Sequence, residues 1–137
     1  MRYLYKLSIS YCEPMAGPSG APKKAKVNDI LKRIVERIRI KYRPDGIILF
    51  GSHAYGKPDA QSDIDLLIIK RTSKPFHERY AEVGGIIRDV RRGWAVSPFV
   101  ISPSELKERL DAGDQFIAEV ISRGRRLYGR KGIVFAG

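Results

Sequence analysis

Apolar residues early in the chain recur at the spacing of a helix. Between residues 30 and 38 they lie three or four positions apart, and lysine, arginine and glutamate occupy most positions between them. This spacing gathers the apolar side chains on one face of an α-helix. Asn28 or Asp29 is expected to cap its N-terminus, and Pro44 and Gly46 are expected to end it.

Three stretches downstream are typical of strands. Residues 47–50 are all apolar, as expected of a strand that is buried on both faces. Residues 51–62 are predicted to turn, with a short helix at 52–55. A second strand is expected over 63–69, and a third over 94–101.

Further helices are expected between and after these strands. Apolar spacings of four, three, four and three residues predict one from about 76 to 92. Pro103 begins a short helix, residues 116–121 mark the last one, and Leu127 and Tyr128 are expected to close the core. The order predicts an α/β (α+β) fold, in which helices pack on a small mixed sheet of about three to four strands.

The N-terminal part has the composition of a linker. Residues 13–26 are rich in proline, glycine, alanine and lysine. We expect residues 1–25 to form a flexible tail and residues 26–137 to form one folded domain. Residues 3–11 could form a strand, but no segment follows that pairs with it through a short turn. Met15 is a candidate for the physiological start.

Basic residues outnumber acidic ones. The 137 residues include 26 Lys or Arg and 15 Asp or Glu, which gives a formal net charge of +11. This balance favours polyanionic partners such as nucleic acid, nucleotides or an acidic protein. A solvated basic surface explains the charge equally well, because the basic residues do not form a stripe on one helix.

Two further observations bound the class of protein. No apolar run approaches the roughly 18 residues that span a bilayer, so no membrane association is expected. The sole cysteine, Cys12, excludes an intramolecular disulfide and a cysteine-rich zinc site. We therefore expect a cytoplasmic protein.

One stretch, FGSHAYGKPDAQSDIDLLII (50–69), carries the candidate chemistry. Gly51, Gly56 and Lys57 nearly match the P-loop of ATP-binding proteins. A P-loop needs serine or threonine directly after the lysine, and a helix that begins there. This chain has Pro58 at that position and enters the second strand within five residues. The sequence therefore argues against a P-loop.

Two carboxylates and a Gly-Ser pair remain in this stretch. Asp63 and Asp65 are expected on the same face of the second strand, because side chains alternate along a strand. Two carboxylates there repel each other unless a cation such as Mg²⁺ neutralises them. Gly51 allows a phosphate to approach the backbone, and the amides and hydroxyl from Ser52 onward can bind it. Each residue singly is more often structural; together they indicate magnesium-dependent attack on a nucleoside triphosphate.

These residues resemble a known signature. The letters GS at 51–52, then ten residues, then DID at 63–65 look like the GSx10DxD signature of the DNA polymerase β-type nucleotidyltransferase superfamily. The longer segment GSHAYGKPDAQSDIDLLI is similar to the corresponding segment of a small branch of this superfamily, the minimal nucleotidyltransferases or MNT domains. The preceding helix, the downstream strand with SPSEL and the terminal helix extend the resemblance over about 27–129.

The resemblance implies a nucleotidyltransferase fold and an activity. Such an enzyme transfers a nucleoside monophosphate, usually AMP from ATP, to an acceptor hydroxyl and releases pyrophosphate. Gly51, Ser52 and Ser62 would bind the triphosphate, and the catalytic Asp63 and Asp65 would hold Mg²⁺. The resemblance also implies a HEPN-type protein partner, because MNT domains serve as antitoxins of HEPN toxins and some attach AMP to that partner.

The chain departs from the family at one position. The family carries a third carboxylate on the next core strand, but WAVSPFVIS contains no Asp or Glu, and Ser97 falls at about that position. Pro98 beside it fits only an edge strand or a bulge. Asp89 is assigned to the interior of the preceding helix and to no role. His53 is expected to be exposed, and Trp94 to pack under the third strand.

Three hypotheses follow. The first is an MNT-type enzyme that uses magnesium-ATP and a protein acceptor. The second is a nucleotide-binding protein that acts by docking on its partner, because Ser97 replaces the acid. The third is a nucleic-acid-binding module that uses the basic surface, whose affinity falls steeply with salt.

Overall fold

The computed structural model describes residues 23–56 and 62–129, with side chains from Val27 onward. Several predictions concern residues outside these ranges: the strand at 3–11, the Met15 start and most of the 1–25 tail. Lys57 and Pro58 lie outside them too. No helix in the described ranges is both long enough and apolar enough to cross a membrane.

The described chain forms five α-helices and four β-strands. They are α1 (Lys23–Lys41), β1 (Gly46–Phe50), α2 (Ser52–Tyr55), β2 (Ile64–Ile69), α3 (Phe76–Ile87), β3 (Val96–Ile101), α4 (Pro103–Asp111), α5 (Gln115–Arg123) and β4 (Arg125–Gly129). The predicted strands and the short helix after β1 are confirmed. The strand β4 was not predicted. The sequence pattern indicated only that Leu127 and Tyr128 would close the core.

The four strands form one mixed sheet in the order β3-β2-β1-β4. β1 runs antiparallel to both β2 and β4, whereas β2 and β3 run parallel. The predicted α/β fold with a small mixed sheet is therefore confirmed. β3 lies at an edge of the sheet, and this explains how it accommodates Pro98, which lacks the N–H that an inner strand would need.

Helices cover both faces of the sheet. Because side chains alternate along β1, Ile47 and Leu49 face α1 and α3, and Ile48 faces α4 and α5. The second face also carries Leu67, with Ile117 of α5 packed against it. β1 and β2 are thus buried on both sides, which is why their sequences are almost continuously apolar.

Two predicted helix ends are wrong. α1 begins at Lys23 rather than at Asn28 or Asp29, because residues 23–29 contain no glycine or proline to stop the helix from extending. α3 ends at Ile87, not near 92. After it the backbone N–H of Val90 donates to the Ile87 carbonyl at 3.1 Å, and left-handed residues at 92 and 93 reverse the chain into β3.

Asp89 is consequently not inside a helix. It follows α3 on the surface, where Arg37 of α1 donates to its carboxylate at 2.8 Å. Those hydrogen bonds lower the pKa of Asp89 below its usual value. Asp89 joins two helices and does not extend the carboxylate pair of β2.

Candidate active site

Gly51 occupies a sharp turn between β1 and α2. Its φ of 78° and ψ of −159° fall in a region that only glycine adopts readily. A Cβ added at this position would lie 2.3 Å from Oδ2 of Asp65 on the neighbouring strand. Glycine is therefore required twice, once for the backbone conformation and once for the close approach to the carboxylate.

Asp63 and Asp65 mark the beginning of β2. Asp63 precedes the strand and is exposed, whereas Asp65 is its second residue and is half-buried. Asp65 is the register partner of Phe50 on one side and of Ser97 on the other. Alternation along β2 directs the Asp65 carboxylate to the face that α4 and α5 cover. That Asp63 shares this face stays a prediction, because Asp63 lies before the strand.

The pKa of Asp65 is raised above its usual value. Burial is the largest cause, the negative charge of Asp63 adds to it, and the nearby His53 opposes it. Both main causes disfavour the ionised carboxylate. A divalent cation between the two carboxylates would remove the repulsion and replace the lost hydration, so this pair of oxygen donors fits Mg²⁺.

We expect Asp65→Asn to stabilise the metal-free protein near neutral pH. The pKa of Asp65 is higher in the folded state than in the unfolded state. The folded protein therefore loses stability as pH rises through the unfolded-state pKa, and the ionised Asp65 is destabilising at neutral pH. The amide side chain of the variant does not ionise, so the variant does not lose this stability. Thermal unfolding with a chelator should therefore give a higher midpoint for the variant near neutral pH than for the native chain. The difference should vanish at about pH 3; a lower midpoint for the variant near neutral pH would contradict the argument.

His53 was predicted to be exposed, and this prediction is wrong. Its ring is half-buried, with Nε2 3.2 Å from the Ser62 carbonyl oxygen and the ring edge-on to Trp94 at 6.1 Å between centroids. These contacts tie α2 to the segment that leads into β2. His53 thus helps to fix Gly51 relative to Asp63. Sequence spacing gave no signal for this role, because Trp94 is distant along the chain.

The structure brings most of the predicted residues to one end of the sheet. The backbone of Gly51 lies close to the Asp65 carboxylate. Ser52 is exposed in the first turn of α2, and Ser62 directly precedes Asp63. The N–H groups of Ala54 and Tyr55 donate to the Gly51 carbonyl oxygen at 2.9 and 3.2 Å, so the N–H groups that have no partner within α2 are those of Ser52 and His53. Arg123 of α5, which sequence analysis had not assigned to the site, has its guanidinium 4.4 Å from the Tyr55 ring centroid and donates to Glu119 at 2.8 Å.

Ser97, which the resemblance assigns to the place of the family's third carboxylate, lies beside Asp65 in the sheet. It is the register partner of Asp65 on β3, and alternation places it on the same face. Within the two ranges that the structure describes, no three His, Cys, Asp or Glu side chains gather closely enough to hold a metal ion. The site therefore offers the Asp65 carboxylate and the Ser97 hydroxyl side by side on two strands, with Asp63 directly before β2.

Comparisons with known proteins agree with this geometry. The family described as "Nucleotidyltransferase domain" matches residues 31–128. The chain is also 30% identical, over 112 residues, to a protein of Methanocaldococcus jannaschii named "Putative protein adenylyltransferase MJ1305". That alignment covers 76% of this chain and 73% of the relative. The chain therefore belongs to the nucleotidyltransferase domain family, in its minimal form, and is a transferase enzyme.

Proposed function

We propose that the protein transfers AMP from ATP to a hydroxyl group of a partner protein, with Mg²⁺ held by Asp63 and Asp65. The observation that carries the proposal is the approach of Gly51 to Asp65, where no room exists even for a methyl group. A phosphate on the backbone of residues 51 and 52 would lie beside any cation on that carboxylate. Phosphate and metal subsites are thus adjacent, as nucleotidyl transfer requires.

The proposed reaction is a displacement at the α-phosphorus of ATP. The acceptor oxygen forms the new P–O bond, the bond to the bridging oxygen of pyrophosphate breaks, and the acceptor proton is lost to solvent or base. Gly51, Ser52 and Ser62 bind and orient the triphosphate, and Asp63 and Asp65 hold the cation. Bound Mg²⁺ would supply charge neutralisation on the phosphate oxygens.

Two observations support AMP and a protein acceptor. The Methanocaldococcus jannaschii relative carries the name of a protein adenylyltransferase, and about three quarters of each chain aligns. The resemblance to MNT domains also favours a HEPN-type protein as the partner, in a toxin–antitoxin pair.

A second candidate function is supported by Ser97. A serine hydroxyl is a weak magnesium ligand and a poor base compared with a carboxylate, and it occupies the place beside Asp65. A protein that binds magnesium-ATP but transfers slowly, and that acts mainly by docking on its partner, fits this substitution. The two candidates predict different results from the same assay.

The deciding experiment follows label from ATP that carries a labelled α-phosphate. The protein is incubated with Mg²⁺, alone and with proteins that co-purify with it, beside the Asp63→Asn/Asp65→Asn double variant. Asp29→Asn serves as the control, because Asp29 is an exposed carboxylate on α1 that pairs only with Arg33. Label on protein with the native chain and the control, but not with the double variant, establishes transfer. Magnesium-ATP binding without label would favour the docking protein.

We expect Ser97→Asp to raise the rate of transfer. The new carboxylate would stand beside Asp65 and could hold the cation or accept the acceptor proton, and a positioned base contributes about a hundredfold or more. Allowing for imperfect geometry, we expect an increase of about tenfold, measured as initial rate of label transfer. Ser97→Asn is the matched control of equal size without charge. Equal rates in the two variants would show that this position lies outside the reacting centre.

A further inference from the structure

His53 lies where three segments of the chain meet at one end of the sheet. It belongs to α2, and its Nε2 atom is 3.2 Å from the Ser62 carbonyl oxygen, just before β2. Its ring meets Trp94, just before β3, edge-on with centroids 6.1 Å apart. The N–H of Ile64 donates to the Ala95 carbonyl at 2.9 Å, so the entries to β2 and β3 are also joined to each other. One side chain of α2 thus contacts the entries to two neighbouring strands.

The hydrogen bond of His53 has only one possible direction. A carbonyl oxygen accepts and cannot donate, so Nε2 of His53 carries the proton and the Ser62 carbonyl accepts it. The edge-on contact with Trp94 restrains the plane of the imidazole ring, and the orientation of that plane decides where Nε2 points. His53 is therefore a donor whose orientation is fixed by the fold.

The helix α2 needs such an anchor because it is short. It has four residues, Ser52–Tyr55, and none of these four side chains is buried. A helix of about one turn is not stable alone in water, so contacts with other elements must hold it. Ala54 packs against the apolar core, and Tyr55 contacts Arg123 of α5. His53 adds a directed hydrogen bond to the segment that carries the candidate metal ligands.

We propose that His53 is a positioning residue for nucleotidyl transfer, which fixes the phosphate subsite at residues 51 and 52 relative to the metal subsite on β2. The inference rests on the proposed function. His53 directly follows Ser52, and its hydrogen bond ends at the residue that precedes Asp63. Loss of this bond leaves the groups of both subsites in place but lets the distance between them vary. Because reaction rates are sensitive to misplacements of about 1 Å, the loss should affect kcat more than ATP binding.

Two substitutions separate the hydrogen bond from the ring. His53→Phe keeps an aromatic ring beside Trp94 but cannot donate, whereas His53→Gln replaces the ring by an amide that still donates. We expect His53→Phe to lower kcat for label transfer about tenfold, with KM for ATP within about twofold of the native value. His53→Gln should keep kcat within about threefold. His77→Phe, at the other histidine of the chain, which is exposed on α3, should change neither constant.

Amide hydrogen exchange tests the same contact without nucleotide or metal. The N–H groups of Ala54 and Gly56 donate to the carbonyls of Gly51 and Ser52 at 2.9 and 3.0 Å. They should exchange about fivefold faster in His53→Phe, since one hydrogen bond no longer holds α2, and at nearly the native rate in His53→Gln. The amides of β1, an inner strand, should exchange equally in all variants.

Four results would overturn the inference. They are a native kcat in His53→Phe, an equal loss of kcat in both variants of His53, a loss that lies in KM alone, and exchange in α2 that His53→Phe leaves unchanged. An equal loss would assign the role to ring packing, and a loss in KM would assign His53 to ATP binding. Failure of the proposed function is distinct, because the native chain would then transfer no label while exchange in α2 still responded to His53→Phe.

Discussion

Gly51→Ala is expected to reduce nucleotidyl transfer by about a hundredfold or more, because a misplacement of about 1 Å in a reacting site has effects of that size. The added Cβ would overlap Oδ2 of Asp65, so either the turn or the carboxylate must move. The φ of 78° and ψ of −159° would also cost about 1–3 kcal/mol in any residue other than glycine. Both effects act at the junction between the proposed phosphate and metal subsites.

Gly56→Ala provides the matched control. A Cβ at Gly56 would meet its nearest atom, the Ser52 carbonyl oxygen, at 3.4 Å, which is an ordinary contact. Both variants change one glycine at the ends of α2, but only one disturbs Asp65. Initial rates of label transfer should therefore fall for Gly51→Ala and stay within about twofold for Gly56→Ala. Circular dichroism and thermal unfolding would show that both variants fold, and native-like transfer by Gly51→Ala would remove the basis for adjacent subsites.

The segment from β1 to β2 could be predicted from sequence because its signals are local. A wholly apolar run, a Gly-Ser turn and a carboxylate pair at alternating positions fix two strands and the short helix between them. Each of these features depends on neighbours in the chain or on the alternation of a strand.

The features that sequence analysis missed depend on distant residues. The apolar spacing that predicted α3 begins with Phe76 and Tyr80, but both of these side chains are exposed, whereas Arg79 is buried. An arginine can be buried only where acceptors surround its guanidinium, and two of these come from β3 and α4. No periodicity along α3 can reveal acceptors that lie on other elements.

The strand β4 was missed for a related reason. Its sequence, RRLYG, holds one fully buried residue, Leu127, and two arginines, so it does not show the pattern of a typical strand. It forms because β1 offers a free antiparallel edge to a segment that returns from α5. Pairing with a strand far away in sequence thus decides its structure, not its own composition.

Loss of the buried ion pair between Arg79 and Glu105 is expected to have a large effect on stability. Glu105→Ala should lower the free energy of unfolding by about 3–5 kcal/mol, because it leaves a buried guanidinium without its carboxylate. Arg79 is 3% exposed and donates to both oxygens of Glu105, at 2.8 and 3.0 Å. Glu105 also accepts from the backbone N–H of Ser102 at 2.9 Å, so the variant loses the capping box of α4 as well.

The ion pair of Arg79 and Glu105 should also make the free energy of unfolding depend on pH. Hydrogen bonds from Arg79 lower the pKa of Glu105 from 4.5 to about 2. Because the folded-state value is the lower one, the stabilisation is complete above the unfolded value near 4.5 and is lost as pH falls through about 2. Urea unfolding should therefore show that the free energy of unfolding falls more between neutral pH and about pH 3 for the native chain than for Glu105→Gln, whose side chain has no charge to protonate.

An exposed ion pair provides the comparison that isolates burial. Lys107 and Asp111 form an i,i+4 pair on α4 with a 2.8 Å contact, but both side chains are mostly exposed. Asp111→Ala should cost far less than Glu105→Ala, because water solvates both charges of this pair whether or not they meet. If Glu105→Ala costs no more than Asp111→Ala, the buried pair does not stabilise the fold. Because Arg79 also donates to the Val100 carbonyl at 3.1 Å, the pair holds the edge strand that carries Ser97. Its loss should therefore loosen β3 beside Asp65 before the rest of the sheet unfolds.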